Sequence, residues 1–200
     1  MGGKFYKTFS SPFIIKMCRQ CKLKIVYEFT NKRKLCSRCF VNWFEKKFFY
    51  IIRKFRLIRQ GDVVSYKAGS NFWEVVLEEI LKKFSERTMI KIVKNSSKAT
   101  KIAIASTIDS EADEIIHELI KGNANLKKAA PIEKIKKKIF IKPLYLFLDS
   151  EVLLYAKIKR LKFKEKIKYK DKISKFIDSL EEKHPEVKRA VVNSYLGMYE

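Results

Sequence analysis

Residues 61–84 read GDVVSYKAGSNFWEVVLEEILKKF. Val63 to Tyr66 is a short β-branched and aromatic run, as a buried strand requires. Lys67-Ala-Gly-Ser-Asn71 is a turn, with Gly69 supplying backbone freedom. From Phe72 to Phe84 the apolar residues Phe72, Val75, Val76, Leu77 and Ile80 recur at helical spacing. A strand that passes through a glycine turn into a helix is half of a βαβ unit, so this stretch predicts an α/β fold.

The pattern continues downstream. Met89 to Val93 and Lys101 to Ala105 read as strands, and Ser110 to Lys121 as a helix. Asp109 is the expected cap of that helix, Glu111 and Asp113 suit its N-terminal dipole, and Lys121-Gly122 ends it. Ile139 to Ile141 is a strand and Ser150 to Arg160 a helix, with Asp149 or Ser150 as cap. Helices over 171–182 and 185–196 follow, with Pro185 in a first turn. Strand and helix alternate, so the sheet is expected to be mainly parallel. Between Val93 and Lys101 there is no room for a crossover helix, so at least one unit is trimmed.

Upstream, Phe40, Phe44, Phe48, Ile51, Phe55 and Ile58 recur every three or four residues and predict an amphipathic helix ended by Gln60-Gly61. Lys46, Lys47, Arg53, Lys54 and Arg56 fall largely off its apolar face and form a candidate RNA-binding surface. Lys and Arg number 45 against 22 Asp and Glu, a net charge of +23, which favours polyanions as partners. A compositional drift towards Lys, as in an AT-rich genome, would give a similar excess. Trp43 and Trp73 read as core anchors, and the lone His117 and His184 as packing or surface residues.

Four cysteines precede that helix. Cys18-x-x-Cys21 and Cys36-x-x-Cys39 are the only cysteines of the chain. Two such knuckles put four thiolates within reach of one tetrahedral ion, and structural zinc is the expected occupant. Two disulfides, a redox pair or a cluster site are the competing readings. Met1 to Lys16 lack the continuous apolar core of a secretory signal, so a cytoplasmic location with reduced thiols is expected. No apolar run approaches the roughly 18 residues of a membrane span, and no membrane partner is expected. The chain thus divides into a leader (1–17), a zinc-knuckle module (18–39), a basic amphipathic linker helix (40–60) and an α/β domain (61–200).

The order of these parts resembles a known family. Cys36-Ser-Arg-Cys39-Phe40, the basic run Arg56-Leu-Ile-Arg-Gln-Gly61, the stretch from Lys101 to Glu114, Ile141-Lys-Pro-Leu144 with Glu151 and Leu154-Tyr-Ala156, and Phe176 to Pro185 are together similar to the tRNA 2-thiolation proteins of the PP-loop ATPase group. The resemblance implies a PP-loop-ATPase-like parallel sheet domain, here reduced, and a role with tRNA. A working PP-loop reads Ser-Gly-Gly-x-Asp-Ser. Here the segment is Tyr66-Lys-Ala-Gly-Ser-Asn-Phe-Trp73, with one glycine, no carboxylate and two aromatic side chains expected to crowd the cradle. The degenerate nucleotide loop is then Gly69, Ser70 and Asn71 with Asp109 and Ser110, and the sulfur-carrying cysteines of active members have no counterpart.

These departures imply the non-catalytic, protein 2 type. The expectation is a pseudo-enzyme with no catalytic residue and no ATP, holding structural zinc at Cys18, Cys21, Cys36 and Cys39. It would bind tRNA and pair with a catalytic thiolation subunit in a heterodimer. The alternatives are a stand-alone zinc-ribbon nucleic-acid-binding protein and an active thiouridylase.

Overall fold

The computed structural model describes residues 17–18, 20–94, 96–122, 130–165 and 171–198. The expected leader therefore lies outside the described residues, apart from Met17. The chain forms two compact units, Met1–Phe40 and Val41–Glu200. Among the described residues no helix is long and apolar enough to cross a membrane.

In the first unit, β1 (Ile25–Glu28) and β2 (Lys34–Cys36) pair antiparallel, with an irregularity between Ile25 and Tyr27. Phe29 and Arg33 close the hairpin through a 2.8 Å backbone bond, with Lys32 at positive φ in the turn. Helix α1 (Ser37–Lys54) follows directly. Its residues Phe40, Phe44, Phe48 and Ile51 are all fully buried, as their spacing predicts. The helix stops at Lys54, short of the expected Ile58, because Arg56 adopts a left-handed φ of 49°. Arg53 and Lys54 occupy its last turn, where cations meet the negative end of the dipole.

The second unit is built on a five-stranded sheet in the order β4-β3-β5-β7-β6. Strands β3 (Val63–Tyr66), β4 (Lys91–Val93), β5 (Lys101–Ala103) and β7 (Lys138–Ile141) run parallel. The α/β, mainly parallel architecture is thus as the sequence predicts. Strand β6 (Ile132–Ile135) is not expected from the sequence; it pairs antiparallel with β7 across a turn held by Lys136 at positive φ. The connection from β4 to β5 is the trimmed one. It carries only a single 3₁₀ turn, Ser96–Lys98. Strands of three residues are about 10 Å long, so a chain of this length can return along them without a helix.

Besides α1, the described residues of the second unit form α2 (Phe72–Arg87), α3 (Ile108–Ile120), α4 (Asp149–Ile158), α5 (Lys172–Lys183) and α6 (Val187–Gly197). The Phe44 ring centroid lies 4.1 Å from that of Phe147 and 4.2 Å from that of Tyr155, so aromatic packing ties α1 to α4 and the segment that precedes it. A second cluster joins α3 to α6 through Ile108, Ala112, Ile115, Val192 and Tyr195.

Several helix caps differ from expectation. Thr107, not Asp109, precedes α3, and Ser110 Oγ accepts from its N–H at 3.1 Å. Leu148 holds the cap position of α4, and the Glu151 carboxylate accepts from its N–H at 3.0 Å. Pro185 stands two residues before α6 rather than in its first turn.

Helix α5 docks on α3 through a pair that titrates. His117 Nε2 lies 2.7 Å from Asp171 Oδ2. The Asp171 partner raises the His117 pKa, while the Ser174 N–H and then His117 hold Asp171 down to about 2. A raised histidine stabilises fully below its unfolded value of 6.5, and that part is lost as pH rises through the folded value. A lowered aspartate stabilises fully above its unfolded 3.8 and loses this as pH falls towards about 2. The pair therefore holds α5 best between about pH 4 and about pH 6.5. Hydrogen-exchange protection of the α5 amides is expected to fall as pH rises above about 6.5 and passes the raised His117 value. His117→Ala should abolish that difference; protection that is flat with pH in the wild type would refute the docking.

Candidate functional site

The two cysteine knuckles converge in the first unit. Cys18 donates its N–H to the Leu23 carbonyl, and its own carbonyl accepts from the Lys22 N–H, both at 2.8 Å, so the first knuckle is a tight turn with Lys22 at φ 52°. Cys36 ends β2, and Cys39 lies in the first turn of α1. The four Sγ atoms all lie within 4.8 Å of one another, with Cys21 and Cys39 at 3.3 Å. Cys18 and Cys36 are buried and Cys21 is exposed.

Crowded thiols cannot all ionise unaided. Backbone N–H groups of Cys36 and Cys21 pull Cys18 down to about 6, whereas the Cys21 sulfur and burial push Cys39 up to about 12. A divalent cation removes this conflict by taking all four as thiolates. Four sulfurs at about 2.3 Å from one tetrahedral ion stand about 3.8 Å apart. The cysteine set fits a single metal ion. Thiolates on the four irons of a cubane cluster stand farther apart, since the cube lies between them.

The second site lies at the carboxyl ends of the parallel strands. The chain leaves β3 for β4 on one side, while β5 pairs on the other, so the sheet reverses direction between β3 and β5. Open α/β sheets bind their ligands at such a point. A cavity of about 400 Å³ opens there, lined by Lys67, Asn71, Trp73, Glu74, Ile104 and Phe140 among others. Asn71 caps α2, its Oδ1 accepting from the Glu74 N–H at 3.0 Å. Trp73 donates its indole N–H to Asp149 at 2.6 Å and stacks on Phe72 at 3.9 Å. The two aromatics therefore pack against each other and do not close the cavity, contrary to expectation.

Of the expected loop residues, the structure brings Asn71 to the cavity and places Gly69 beside it. Ser70 gives its carbonyl to the Lys164 N–H at 2.7 Å. Asp109 and Ser110 are not on the cavity wall. Asp109 accepts from the Asp149 N–H and the Lys188 ammonium, both at 2.7 Å, and Ser110 closes the α3 cap.

Glu74 is the residue that sequence reasoning misses. Its side chain turns back over the loop, so that a Cβ on Gly69 would overlap its carboxylate. The signal is present as Asn71-x-x-Glu74, the pattern of a side chain that folds back over a helix start. Its charge stands where a polyphosphate would approach Gly69, so the cradle as folded does not fit one.

Near the cavity Glu111 is buried. Its carboxylate accepts from Lys142 Nζ at 2.8 Å and from the Ser106 hydroxyl, and burial raises its pKa. Glu111 thus spans the ends of β5 and β7 rather than serving only the helix dipole.

Lys46, Arg53, Lys54 and Arg56 are exposed, but Lys47 is not. Its ammonium lies 2.9 Å from the buried Glu151 carboxylate and 4.8 Å from the Trp43 ring centroid. Burial lowers its pKa to about 8. Lys47 is therefore removed from the expected RNA surface, because it neutralises an acid in the core.

No protein-family model and no curated protein sequence matches the chain. Among solved structures it is similar to the U34-tRNA thiolase NcsA from Methanococcus maripaludis with its 4Fe–4S cluster, with a TM-score of 0.71 at 17% identity over 92% of this chain and 87% of that one. The fold is that of a tRNA thiolase. This corrects the expectation of a pseudo-enzyme, because the chain shares its fold over nearly its whole length with a protein that is an enzyme by name. The pseudo-enzyme expectation rests on the sulfur-carrying cysteines that have no counterpart here and on loop residues. The thiolase fold is retained around them, and the cavity at the sheet reversal is open.

Proposed function

We propose that this protein acts in the 2-thiolation of uridine 34 of tRNA. The observation that carries the reading is the thiolase fold over 92% of the chain. The cavity at the sheet reversal is the place for the reacting nucleoside, and the exposed Lys46, Arg53, Lys54 and Arg56 contact tRNA phosphates. The stand-alone zinc-ribbon reading loses support, since it leaves the α/β remainder unrelated to tRNA.

Zinc is the ion proposed for Cys18, Cys21, Cys36 and Cys39. The close sulfur set supports one ion rather than a four-iron cube. A second thiolation subunit, paired with this chain as a heterodimer, belongs to the proposal. The four cysteines are the chain's only ones, so no further thiolate set is left to carry sulfur once they hold a structural ion.

The test is the tRNA pool. Depletion of this protein from its own cells is expected to remove 2-thiouridine from tRNA, read by nucleoside mass spectrometry. An unchanged 2-thiouridine level would overturn the proposal. The RNA surface has its own readout: Lys46→Glu/Lys54→Glu/Arg56→Glu should weaken tRNA binding tenfold or more and flatten the salt dependence by about one log–log unit per lost phosphate contact. Zinc content should not change. Unaltered affinity and salt slope would mean that these charges are only solvated.

A further inference from the structure

A second cavity, of about 370 Å³, lies at the opposite edge of the sheet. Residues 58–60 lead from it into β3, and residues 88–90 into β4, so it sits at the amino ends of the parallel strands. Phe49, Ile52, Phe84 and Met89 form apolar walls, and Arg53 and Arg59 stand at the opening. No acidic residue among the described residues lines it. The Phe49 and Phe84 ring centroids lie 5.2 Å apart, and the Arg87 guanidinium lies 5.7 Å over Phe49. Met89, on the wall of this apolar hollow, is 87% exposed.

The backbone that carries Arg59 is held in a tight turn. The Arg59 N–H donates to Asp62 Oδ2 at 2.6 Å, and Gly61 at φ 84° turns the chain between them. Asp62 is itself neutralised by Lys101 at 2.7 Å, so it does not oppose an anion at Arg59. Neither the Arg53 nor the Arg59 side chain has an acidic partner among the described residues.

We propose that this cleft takes an unpaired base of an RNA, with Arg53 and Arg59 holding the phosphates on either side. The inference rests on the tRNA-binding reading above and adds a base-binding site distinct from the cavity at the sheet reversal. A nucleotide satisfies both features at once: its flat base fills apolar and aromatic walls, and its phosphates meet the free guanidiniums. An apolar protein segment would leave the arginines unanswered, whereas a duplex would meet the arginines and leave the hollow empty.

The test uses the full chain and two RNA probes of equal length, an oligouridine carrying 4-thiouridine and a blunt duplex, with tRNA as reference. The oligouridine is expected to bind at least tenfold more tightly than the duplex, and its photocrosslinks to map to residues 49–59 and 84–90. Met89→Glu alters a residue already in solvent, so it should not disturb folding. It is expected to weaken oligouridine binding tenfold or more and duplex binding less than twofold. Arg53→Ala/Arg59→Ala should weaken both and flatten the salt slope by about two units. Crosslinks elsewhere, or a Met89→Glu effect equal on both probes, would overturn the site while leaving the tRNA reading intact. A wild-type chain that binds none of the three RNAs would sink the tRNA reading and this inference with it.

Discussion

Cys36→Ser is expected to unfold the β1–β2 hairpin and release the metal. Cys36 is fully buried and ends β2, so it would join the hairpin to the proposed ion. The strands have four and three residues, too few to hold a hairpin in water by themselves. The free energy of a structural zinc site at neutral pH is about 10 to 16 kcal/mol in small peptides, and it is folding free energy. A serine hydroxyl does not ionise to a thiolate-like ligand, so most of that contribution is lost. Zinc per chain by atomic absorption should fall from one equivalent to below a tenth, and amides of residues 25–36 should lose exchange protection. A variant that kept its zinc and its protection would show that three thiolates suffice. Iron in place of zinc in the wild-type protein would replace the proposed ion by a cluster.

Glu151→Gln is expected to destabilise the second unit by about 3 to 5 kcal/mol, the usual cost of removing one partner from a buried ion pair. Glu151 is fully buried. Its oxygens accept from Lys47 Nζ at 2.9 Å, Arg189 Nη2 at 2.8 Å and the Leu148 N–H at 3.0 Å. Glutamine has nearly the same shape but supplies no charge and turns an NH₂ towards donors. Lys47 would then stand largely buried without its anion, and Arg189 would keep, among the described residues, only Glu186 at 3.5 Å. The urea midpoint is the measurement, and the slope of the transition should not change. A loss below about 1 kcal/mol would mean that water reaches this site and screens it.

Legibility in the sequence follows the range of the forces. The β3–α2 unit is readable because a β-branched run, a glycine turn and a helical period sit side by side. The α1 face is readable because Phe40, Phe44, Phe48 and Ile51 repeat within one element. The cysteines are readable because ligand geometry constrains their spacing. Lys47 cannot be placed from sequence, since its partner Glu151 is 104 residues away. The position of Asp109 is likewise set by Asp149 and Lys188, far along the chain. Strand β6 escapes notice because three lysines in succession, Lys136 to Lys138, mask an alternation that only pairing with β7 makes productive. The expectation of a pseudo-enzyme fails for a related reason: Gly69, Ser70 and Asn71 belong to one loop, whereas the architecture of the site is carried by the entire sheet.

Helix α2 starts at one cavity and ends at the other. Asn71 and Glu74 stand at the sheet reversal, while Phe84 and Thr88 reach the basic cleft. Sixteen residues at about 1.5 Å each make a rigid rod of about 24 Å. The helix is thus a ruler. If both proposed sites hold RNA, a strand with one base seated in the cleft would present to the reversal a nucleotide that lies about that far along its backbone. A target base would then be chosen by its distance from an anchor, without any contact that reads its identity.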